Sequence, residues 1–166
     1  MSLYQRLLAG LAGLLLLSSA HAAGVEITDL SDFQADTTEA KSQQLPILVM
    51  FSASYCGYCS TLKEEFLKPM LLSGDYTDKV IIRVLEIDGE DDIRDIDGAN
   101  IDPESLADRY NIQLTPTLAF IDPRGKELAP RLIGMTTIDF YGGYLDDAID
   151  NSLIQLRGGY KFSSVK

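Results

Sequence analysis

A buried strand that runs directly into a cysteine pair constrains the fold of this chain more than any other feature. The stretch LPILVMFSAS, residues 45–54, is almost continuously apolar, as in a strand covered on both faces of a sheet. Cys56 and Cys59, the two cysteines of the 166 residues, follow at once, and from Gly57 apolar residues recur every three to four positions. That spacing is typical of an amphipathic helix. The sequence therefore predicts an α/β fold with the cysteines where a central strand ends and a helix begins.

Two cysteines separated by two residues can form a structural disulfide, share a metal ion or act as a redox pair. A structural disulfide stabilises a protein by closing a loop, and two intervening residues close very little chain. A zinc site needs four ligands, and the chain offers a single histidine, His21, besides the two cysteines. We therefore interpret the pair as a redox couple that works without a metal and without any other cofactor.

The two cysteines occupy different places in the predicted helix. Cys56 lies where the helix starts, and the free N–H groups and positive dipole end there should lower the pKa of its thiol from about 8.5. Cys59 lies one turn further on and should be more buried and less ionised. Cys56 is thus the expected nucleophile toward a substrate disulfide, and Cys59 should resolve the mixed disulfide. Gly57 and Tyr58 lie between them, and Tyr58 is either a substrate contact or a surface tyrosine.

Residues 1–22 predict a cleaved signal peptide. They hold a single charge, an arginine, followed by an eleven-residue apolar run, and Ala20 and Ala22 have the spacing that a signal peptidase needs. The apolar run is shorter than the about 20 residues of a membrane-spanning helix. We therefore expect residues 23–166 to form one domain, exported to the periplasm, where disulfides form and persist.

The expected mature chain is acidic and has no histidine. It would hold 13 Lys and Arg against 25 Asp and Glu, a net charge of about −12. Such a charge opposes binding to nucleic acid and to anionic lipid. Because no histidine remains, Ser-His and Cys-His mechanisms are also excluded.

Part of this charge lies in residues 89–102, a long connection that we expect to be a solvated loop. Asp95, Asp97 and Glu104 match the spacing of three ligands in a calcium-binding loop. Ile93 stands at the first ligand position, however, and an isoleucine cannot bind calcium. The spacing therefore argues weakly for a calcium site, and the role of the loop stays open.

Periodicity and turn residues divide the rest of the chain into strand, helix, strand, helix, strand, strand and helix, from residue 46 onward. A further helix is expected to begin at about Asp29. Pro69 should bend the helix that follows the cysteines or end it early, and Pro130 should confine its strand to an edge or a bulge. Tyr141 and Tyr144, in the last helix, are expected to pack in the core or against a hairpin.

Two segments resemble the thioredoxin-fold family. ILVMFSASYCGYCSTLKEEF, residues 47–66, is similar to the family's active-site segment of buried strand, aromatic residue (here Tyr55), C-x-x-C and helix. RYNIQLTPTLAFID, residues 109–122, resembles the stretch around the family's cis-proline. The resemblance implies a thioredoxin-like fold, a central mixed β-sheet flanked by helices. It also implies a cis bond between Thr115 and Pro116, beside the cysteines, where the backbone binds a substrate chain as an added strand.

Departures from cytosolic thioredoxin affect the expected chemistry. Met50 replaces a buried acid six residues before the first cysteine, and Val84 stands where thioredoxin has a lysine on the next strand. Proton exchange at Cys59 is therefore left to water or to another group. The sequence CGYC, with threonine before the proline, resembles instead the catalytic domain of periplasmic disulfide isomerases. Those proteins carry a separate dimerisation domain, whereas in the expected mature chain, from residue 23 onward, only about 25 residues precede the first strong strand.

The sequence thus predicts a monomeric, periplasmic thiol–disulfide oxidoreductase that resembles exported thioredoxin-like reductases. Its expected substrates are proteins with disulfides, and its expected electron donor is a membrane thiol reductase. A disulfide oxidase or isomerase is one alternative. The other is a thioredoxin-fold binding or chaperone module without enzymatic activity.

Overall fold

The structure of the protein, a computed structural model, describes residues 25–158. The predicted signal peptide, residues 1–22, lies outside the described residues. A mixed four-stranded sheet forms the centre, and helices cover both of its faces, which confirms the predicted α/β architecture. Among the described residues, no helix is both long and apolar enough to cross a membrane.

The main helices and strands follow the predicted order, with one small hairpin added. The helices are α1 (Phe33–Gln43), α2 (Gly57–Leu62), α3 (Lys68–Ser73), α4 (Pro103–Arg109) and α5 (Ile138–Leu156), and a π-helical turn (Lys63–Leu67) joins α2 to α3. The strands are β1 (Ile47–Ser52), β2 (Ile81–Glu86), β3 (Ile93–Arg94), β4 (Asn100–Ile101), β5 (Thr117–Ile121) and β6 (Leu132–Ile133). We call the continuous segment from α2 to α3 the active-site helix.

The central sheet has the strand order β2-β1-β5-β6. Strand β1 is parallel to β2 and antiparallel to β5, and β6 is antiparallel to β5 at the edge. Every residue of β1 is buried, as the continuous apolar run predicts. Pro130 interrupts the edge: Glu127 forms an isolated bridge with Ile121, and regular pairing resumes only at Leu132. The prediction that this proline lies at a sheet edge is confirmed.

Side chains of the sheet alternate between two cores, one on each face. On one face, Phe51 packs with Phe33 of α1 and Leu106 of α4. On the other face, Met50 packs with Cys59 of α2 and with residues of α5. The active-site helix is thus held on the sheet by the second core, and both cores depend on the central strand β1.

Helix α1 begins later than the predicted Asp29. Its first residue is Phe33, and the side chain of Asp32 caps it by accepting a hydrogen bond from the N–H of Ala35 at 2.8 Å. The stretch before the cap is extended and lies along β2, since the N–H of Leu30 donates to the carbonyl of Val84 at 2.7 Å. Pairing with the sheet therefore delays the start of the helix.

Pro69 does not end the active-site helix early. The helix continues to Ser73, and the π-helical turn lies directly before the proline, with the N–H of Lys68 donating to the carbonyl of Lys63. Such a turn widens the helix by one residue, which gives the proline ring room beside the carbonyls of the preceding turn. The proline is thus accommodated by a local change of hydrogen bonding.

The two tyrosines of α5 lie in different environments. Tyr141 is buried in the second core, as predicted, and its ring packs edge to face on that of Phe66. Tyr144 is 51% exposed, so of the two predicted places, the core or a hairpin, the core is wrong for this residue. The buried stripe of α5 includes Tyr141, Leu145 and Ile149, and at 100° per residue Tyr144 falls just outside it.

The acidic connection is more ordered than the predicted solvated loop. It contains the hairpin of β3 and β4, with Gly98 in the left-handed conformation at the turn. Asp95 is buried, and its two carboxylate oxygens accept hydrogen bonds from Arg109 of α4 at 2.8 and 2.5 Å. These hydrogen bonds hold the pKa of Asp95 below its ordinary value of 3.8. The connection is thereby fixed to the domain.

Candidate active site

Cys56 occupies the position that caps the start of the active-site helix. Its backbone is extended, with φ −91° and ψ 99°, and its N–H donates to the carbonyl of Ala53 at 3.0 Å. Cys56 and Cys59 form a disulfide, with their Cα atoms 5.3 Å apart. The N–H of Cys59 donates to Sγ of Cys56 at 3.2 Å. A backbone donor of the first helical turn is therefore directed at the outer sulfur.

The two cysteines differ sharply in exposure. Cys59 is 1% exposed and belongs to the second core, whereas Cys56 packs only partly against that core. On each side of Cys56 the chain is open to solvent, because Tyr55 is 79% and Tyr58 is 62% exposed. A large substrate can therefore reach the sulfur of Cys56 but not that of Cys59.

The turn before Cys56 is held by a carboxylate from the neighbouring strand end. Asp88 accepts hydrogen bonds from the hydroxyl of Ser54 at 2.5 Å and from its N–H at 3.0 and 3.1 Å. The hydroxyl of Ser54, and after it the backbone N–H, hold the pKa of Asp88 below its ordinary value of 3.8. Sequence analysis missed both residues. An aspartate directly after a buried strand is the signal that could have indicated them.

The floor beneath the cysteines is apolar at the two positions singled out from the sequence. Met50 and Val84 are paired in the register of β1 and β2, and both are buried. They lie in the second core together with Cys59. Neither side chain can accept a proton, so neither position can act as an acid or a base toward Cys59.

A polar group lies one step further along the same two strands. Ser52 pairs with Glu86 in the sheet, and its hydroxyl donates to Oε1 of Glu86 at 2.9 Å. The ammonium of Lys63, from the active-site helix, binds the same oxygen at 2.8 Å. Sequence analysis missed all three residues. The available signal for Ser52 and Glu86 was a polar residue at the last position of each strand.

Thr115 and Pro116 lie where the resemblance places them, and the peptide bond between them is cis. Strand β5 is antiparallel to β1 and pairs Thr117 with Phe51, so the residues before Thr117 extend past the end of β1 toward the cysteine turn. The carbonyl of Pro116 accepts a hydrogen bond from Gly134 at 2.7 Å, beside β6. The sheet thus brings the proline loop and the cysteine turn to the same edge.

Exposed apolar side chains lie on this edge. Besides the two tyrosines of the cysteine turn, Leu114 is 54% and Ile133 is 57% exposed. Leu114 precedes the cis bond and lies close to Gly134, where an added Cβ would be 3.5 Å from its side chain. Sequence analysis did not identify Leu114 or Ile133, because a single exposed apolar residue has no periodic signal.

Metal ligands are sparse in the part of the chain that the structure describes. Between residues 25 and 158, no three side chains of His, Cys, Asp or Glu are grouped so that they could hold a metal ion.

A disulfide at the first turn of a helix on a mixed sheet, next to a cis-proline loop, is similar to the site of thioredoxin-fold enzymes. Fold and site together define a protein of the thioredoxin-like class. The model of the thioredoxin-like domain family matches residues 33–149, and the chain belongs to this family. The matched residues include both cysteines and the cis-proline, so the resemblance drawn from the sequence is confirmed at the level of the family.

Individual relatives agree with this assignment. Protein disulfide-isomerase erp38 of Neurospora crassa is 29% identical over 143 residues, or 86% of this chain, and the chain spans 32% of that protein's length. The solved structure of the DsbH oxidoreductase has a TM-score of 0.56 at 16% identity, covering 81% of this chain and 92% of that chain. Mitochondrial thioredoxin 3 from Saccharomyces cerevisiae has a TM-score of 0.51 at 18% identity, covering 75% and 94%. At these identities the structural likeness shows the fold.

Proposed function

We propose that the protein is an exported, periplasmic enzyme that reduces disulfides in other proteins through a mixed disulfide. The observation that carries the proposal is the asymmetry of the cysteine pair. Cys56 is partly exposed at the start of the active-site helix, whereas Cys59 is 1% exposed and within bonding distance of it. An accessible nucleophile with a shielded resolving thiol is the arrangement that two-step exchange needs.

The reaction proceeds in two displacements. In the reduced protein the Cys56 thiolate attacks one sulfur of the substrate disulfide, so that a mixed disulfide forms and the other substrate sulfur leaves as a thiolate and takes up a proton. Cys59 then loses its proton and attacks Sγ of Cys56, which releases the second substrate sulfur. The substrate gains two electrons and two protons, and the Cys56–Cys59 disulfide forms. A membrane thiol reductase is the proposed donor that reduces this disulfide again, without a further cofactor.

The proposed substrates are proteins with accessible disulfides. Their chain would lie extended against the backbone of Thr115, before Pro116, as a strand added at this edge of the site. Tyr55, Tyr58 and Leu114 supply exposed apolar surface around the cysteine, which suits side chains on either side of a substrate cysteine. The protein is proposed to act as a monomer, which light scattering after size-exclusion chromatography checks directly.

The proposed location rests on the predicted signal peptide, residues 1–22. Expression of the full chain in a bacterium, followed by fractionation and N-terminal sequencing, tests it. The expected product is periplasmic and begins at Ala23. An intact N-terminus in the cytoplasmic fraction would contradict the proposal.

The direction of electron flow is tested by the reduction potential of the cysteine pair in glutathione buffers. A reductase should have a value near that of thioredoxin, about −270 mV, whereas about −120 mV is typical of a strong oxidant. A value close to the second figure would overturn the proposed direction and favour a disulfide oxidase. The pair would still be a redox couple in either case.

Two other functions have specific support. The relative named as a protein disulfide-isomerase favours isomerase activity, which regain of activity by a scrambled ribonuclease would measure. The exposed apolar side chains around the cysteine turn favour a binding or chaperone module. A variant with both Cys56→Ser and Cys59→Ser separates that module from an enzyme. We expect it to fold and to lose all disulfide exchange, and full biological activity without the thiols would support the binding module instead.

A further inference from the structure

Glu86 has one carboxylate oxygen that the described residues leave without a hydrogen bond. Oε1 binds Lys63 and Ser52, whereas Oε2 is buried and has no partner among residues 25–158. The side chain as a whole is 34% exposed, so Oε2 is the oxygen that points inward. A buried acceptor without a donor is unfavourable and marks a position where function can account for the cost.

The sheet places this carboxylate on the same face as Cys59. Side chains two residues apart on a strand point the same way, so Ser52 and Glu86 share the face of Met50 and Val84. That face packs against Cys59 in the second core. Ser52 also lies nearer to the cysteine turn than Met50 does, because the chain continues from it directly into that turn. Glu86 is therefore on the cysteine side of the apolar floor.

A side chain of the active-site helix holds the carboxylate of Glu86 in place. Lys63 is four residues after Cys59 and therefore lies on the same side of the helix. Helical side chains lean toward the N-terminus, so the lysine reaches back over the turn that contains Cys59. Its ammonium binds Oε1 of Glu86 at 2.8 Å. This contact and the Ser52 hydroxyl hold one oxygen of Glu86 in place and leave the other free.

The Glu86 side chain is 34% exposed, and the residue also lines an open groove of about 260 Å³. Gly89, Ile93 and Pro103 are among the residues that line it. The ammonium of Lys63 is the charged group in contact with Glu86, and the acidic residues Asp29, Glu90, Asp91 and Asp92 line the same groove. Because the side chain is partly exposed, a protonated Glu86 can exchange its proton with solvent.

We propose that Glu86 accepts the proton of Cys59 when Cys59 attacks the mixed disulfide. The inference rests on the proposed function, because it concerns the second displacement. The proton passes from Sγ of Cys59 to Oε2 of Glu86, directly or through one bridging water. The bond between Cys56 and the substrate sulfur breaks, the Cys56–Cys59 bond forms, and the substrate leaves as a thiolate that is protonated by solvent. Glu86, which is 34% exposed, then returns its proton to solvent.

Asp88, the other carboxylate at the site, has a different task. Both of its oxygens accept hydrogen bonds from Ser54, and it lies on the solvent side of the cysteine turn. It therefore positions that turn. Glu86 combines a free inward oxygen with a route to solvent, in a site where Met50 replaces the acid of thioredoxin.

The test uses the two phases in which the reduced full chain reacts with 5,5′-dithiobis(2-nitrobenzoate). The first released thionitrobenzoate reports the attack of Cys56 on the reagent, and its rate depends on reagent concentration. The second reports the attack of Cys59 on the mixed disulfide and does not depend on that concentration. For Glu86→Gln we expect the second phase to slow by at least about tenfold near neutral pH, and the first phase to change by less than about twofold.

Glu64→Gln is the matched control. Glu64 lies on the active-site helix, and its carboxylate binds the ammonium of Lys68 at 2.8 Å. The substitution therefore also replaces a lysine-bound carboxylate by an amide, but it leaves Glu86 unchanged. Both phases of this variant should match those of the wild type. Equal slowing of the two phases in Glu86→Gln, an unchanged second phase, or the same loss in Glu64→Gln would each overturn the inference.

The pH dependence of the second-phase rate provides a further test, because a purely structural role of Glu86 would not change it. In Glu86→Gln the second phase should rise about tenfold per pH unit through neutrality, because only hydroxide or solvent remains to take the proton, whereas the wild-type profile should be flatter. A full tenfold slope in the wild type overturns the inference even if the variant fails to fold. A wild-type protein that releases no second thionitrobenzoate would instead contradict the proposed function itself.

Discussion

The backbone N–H of Cys59 donates to Sγ of Cys56 across 3.2 Å, at the first turn of the active-site helix. In the reduced protein we expect the same donor to face Sγ of Cys56 and to stabilise its thiolate. The resolving residue would then stabilise the attacking one through its backbone, and its own side chain is buried. This relationship makes the two cysteines chemically different although they are three residues apart.

A difference in alkylation rate should follow from this asymmetry. In the reduced protein, iodoacetamide should modify Cys56 at least about tenfold faster than Cys59, because Cys56 is partly exposed and the helix start should favour its thiolate. Mass spectrometry of peptides after short reaction times measures both rates. Cys59→Ser and Cys56→Ser, each with one remaining thiol, serve as matched variants. Equal rates, or a faster Cys59, would contradict the assignment of roles.

Tyr55 and Tyr58 should contribute to substrate binding without contributing to stability. Their exposed fractions, 79% and 62%, predict that alanine at either position changes the free energy of unfolding by less than about 0.5 kcal/mol. The kcat/KM for reduction of insulin should fall about three- to tenfold, while the rate with a small disulfide stays constant. Leu72→Ala, at the far end of the active-site helix and 67% exposed, is the control. A loss with the small disulfide would point to the chemical step instead.

Asp95 should make the free energy of unfolding depend on pH in the acid range. Hydrogen bonds from Arg109 depress the pKa of its carboxyl in the folded protein, so the contribution is present above about pH 4 and is lost as the pH falls through the folded value. Because Arg109 is half-exposed, Asp95→Asn should cost about 1–2 kcal/mol at neutral pH and progressively less in acid. Urea unfolding at several pH values measures this. Asp97→Asn is the control, and a constant difference across the pH range would refute the linkage.

The local pattern was enough to predict the position of the cysteines and the order of elements. A continuous apolar run, a change to helical spacing and the turn before β6 are local signals, and the structure follows them. The cis bond before Pro116 came from the family resemblance, because a sequence by itself gives an X-Pro bond only a small chance of being cis.

The contacts between distant residues could not be predicted in this way. Glu86 meets Ser52 and Lys63 across 34 and 23 residues. The register of β1 with β2 brings Ser52 to Glu86, and the packing of the active-site helix on the sheet brings Lys63. The π-helical turn before Pro69 could not be predicted for a related reason, since it depends on how the whole helix packs. Register and packing are properties of the assembled sheet, so single residues carry little information about them.

The measurement that tests the central claim most directly is the trapping of a substrate on a Cys59→Ala variant. With no resolving thiol, the mixed disulfide should accumulate, and peptide mapping should place the substrate on Cys56. Cys56→Ala is the matched variant and should trap nothing, because its remaining thiol is buried. We expect the Cys59→Ala variant to form mixed disulfides that map to Cys56 and that disappear on reduction. Absence of any mixed disulfide, or trapping through Cys59 in the Cys56→Ala variant, would contradict the account.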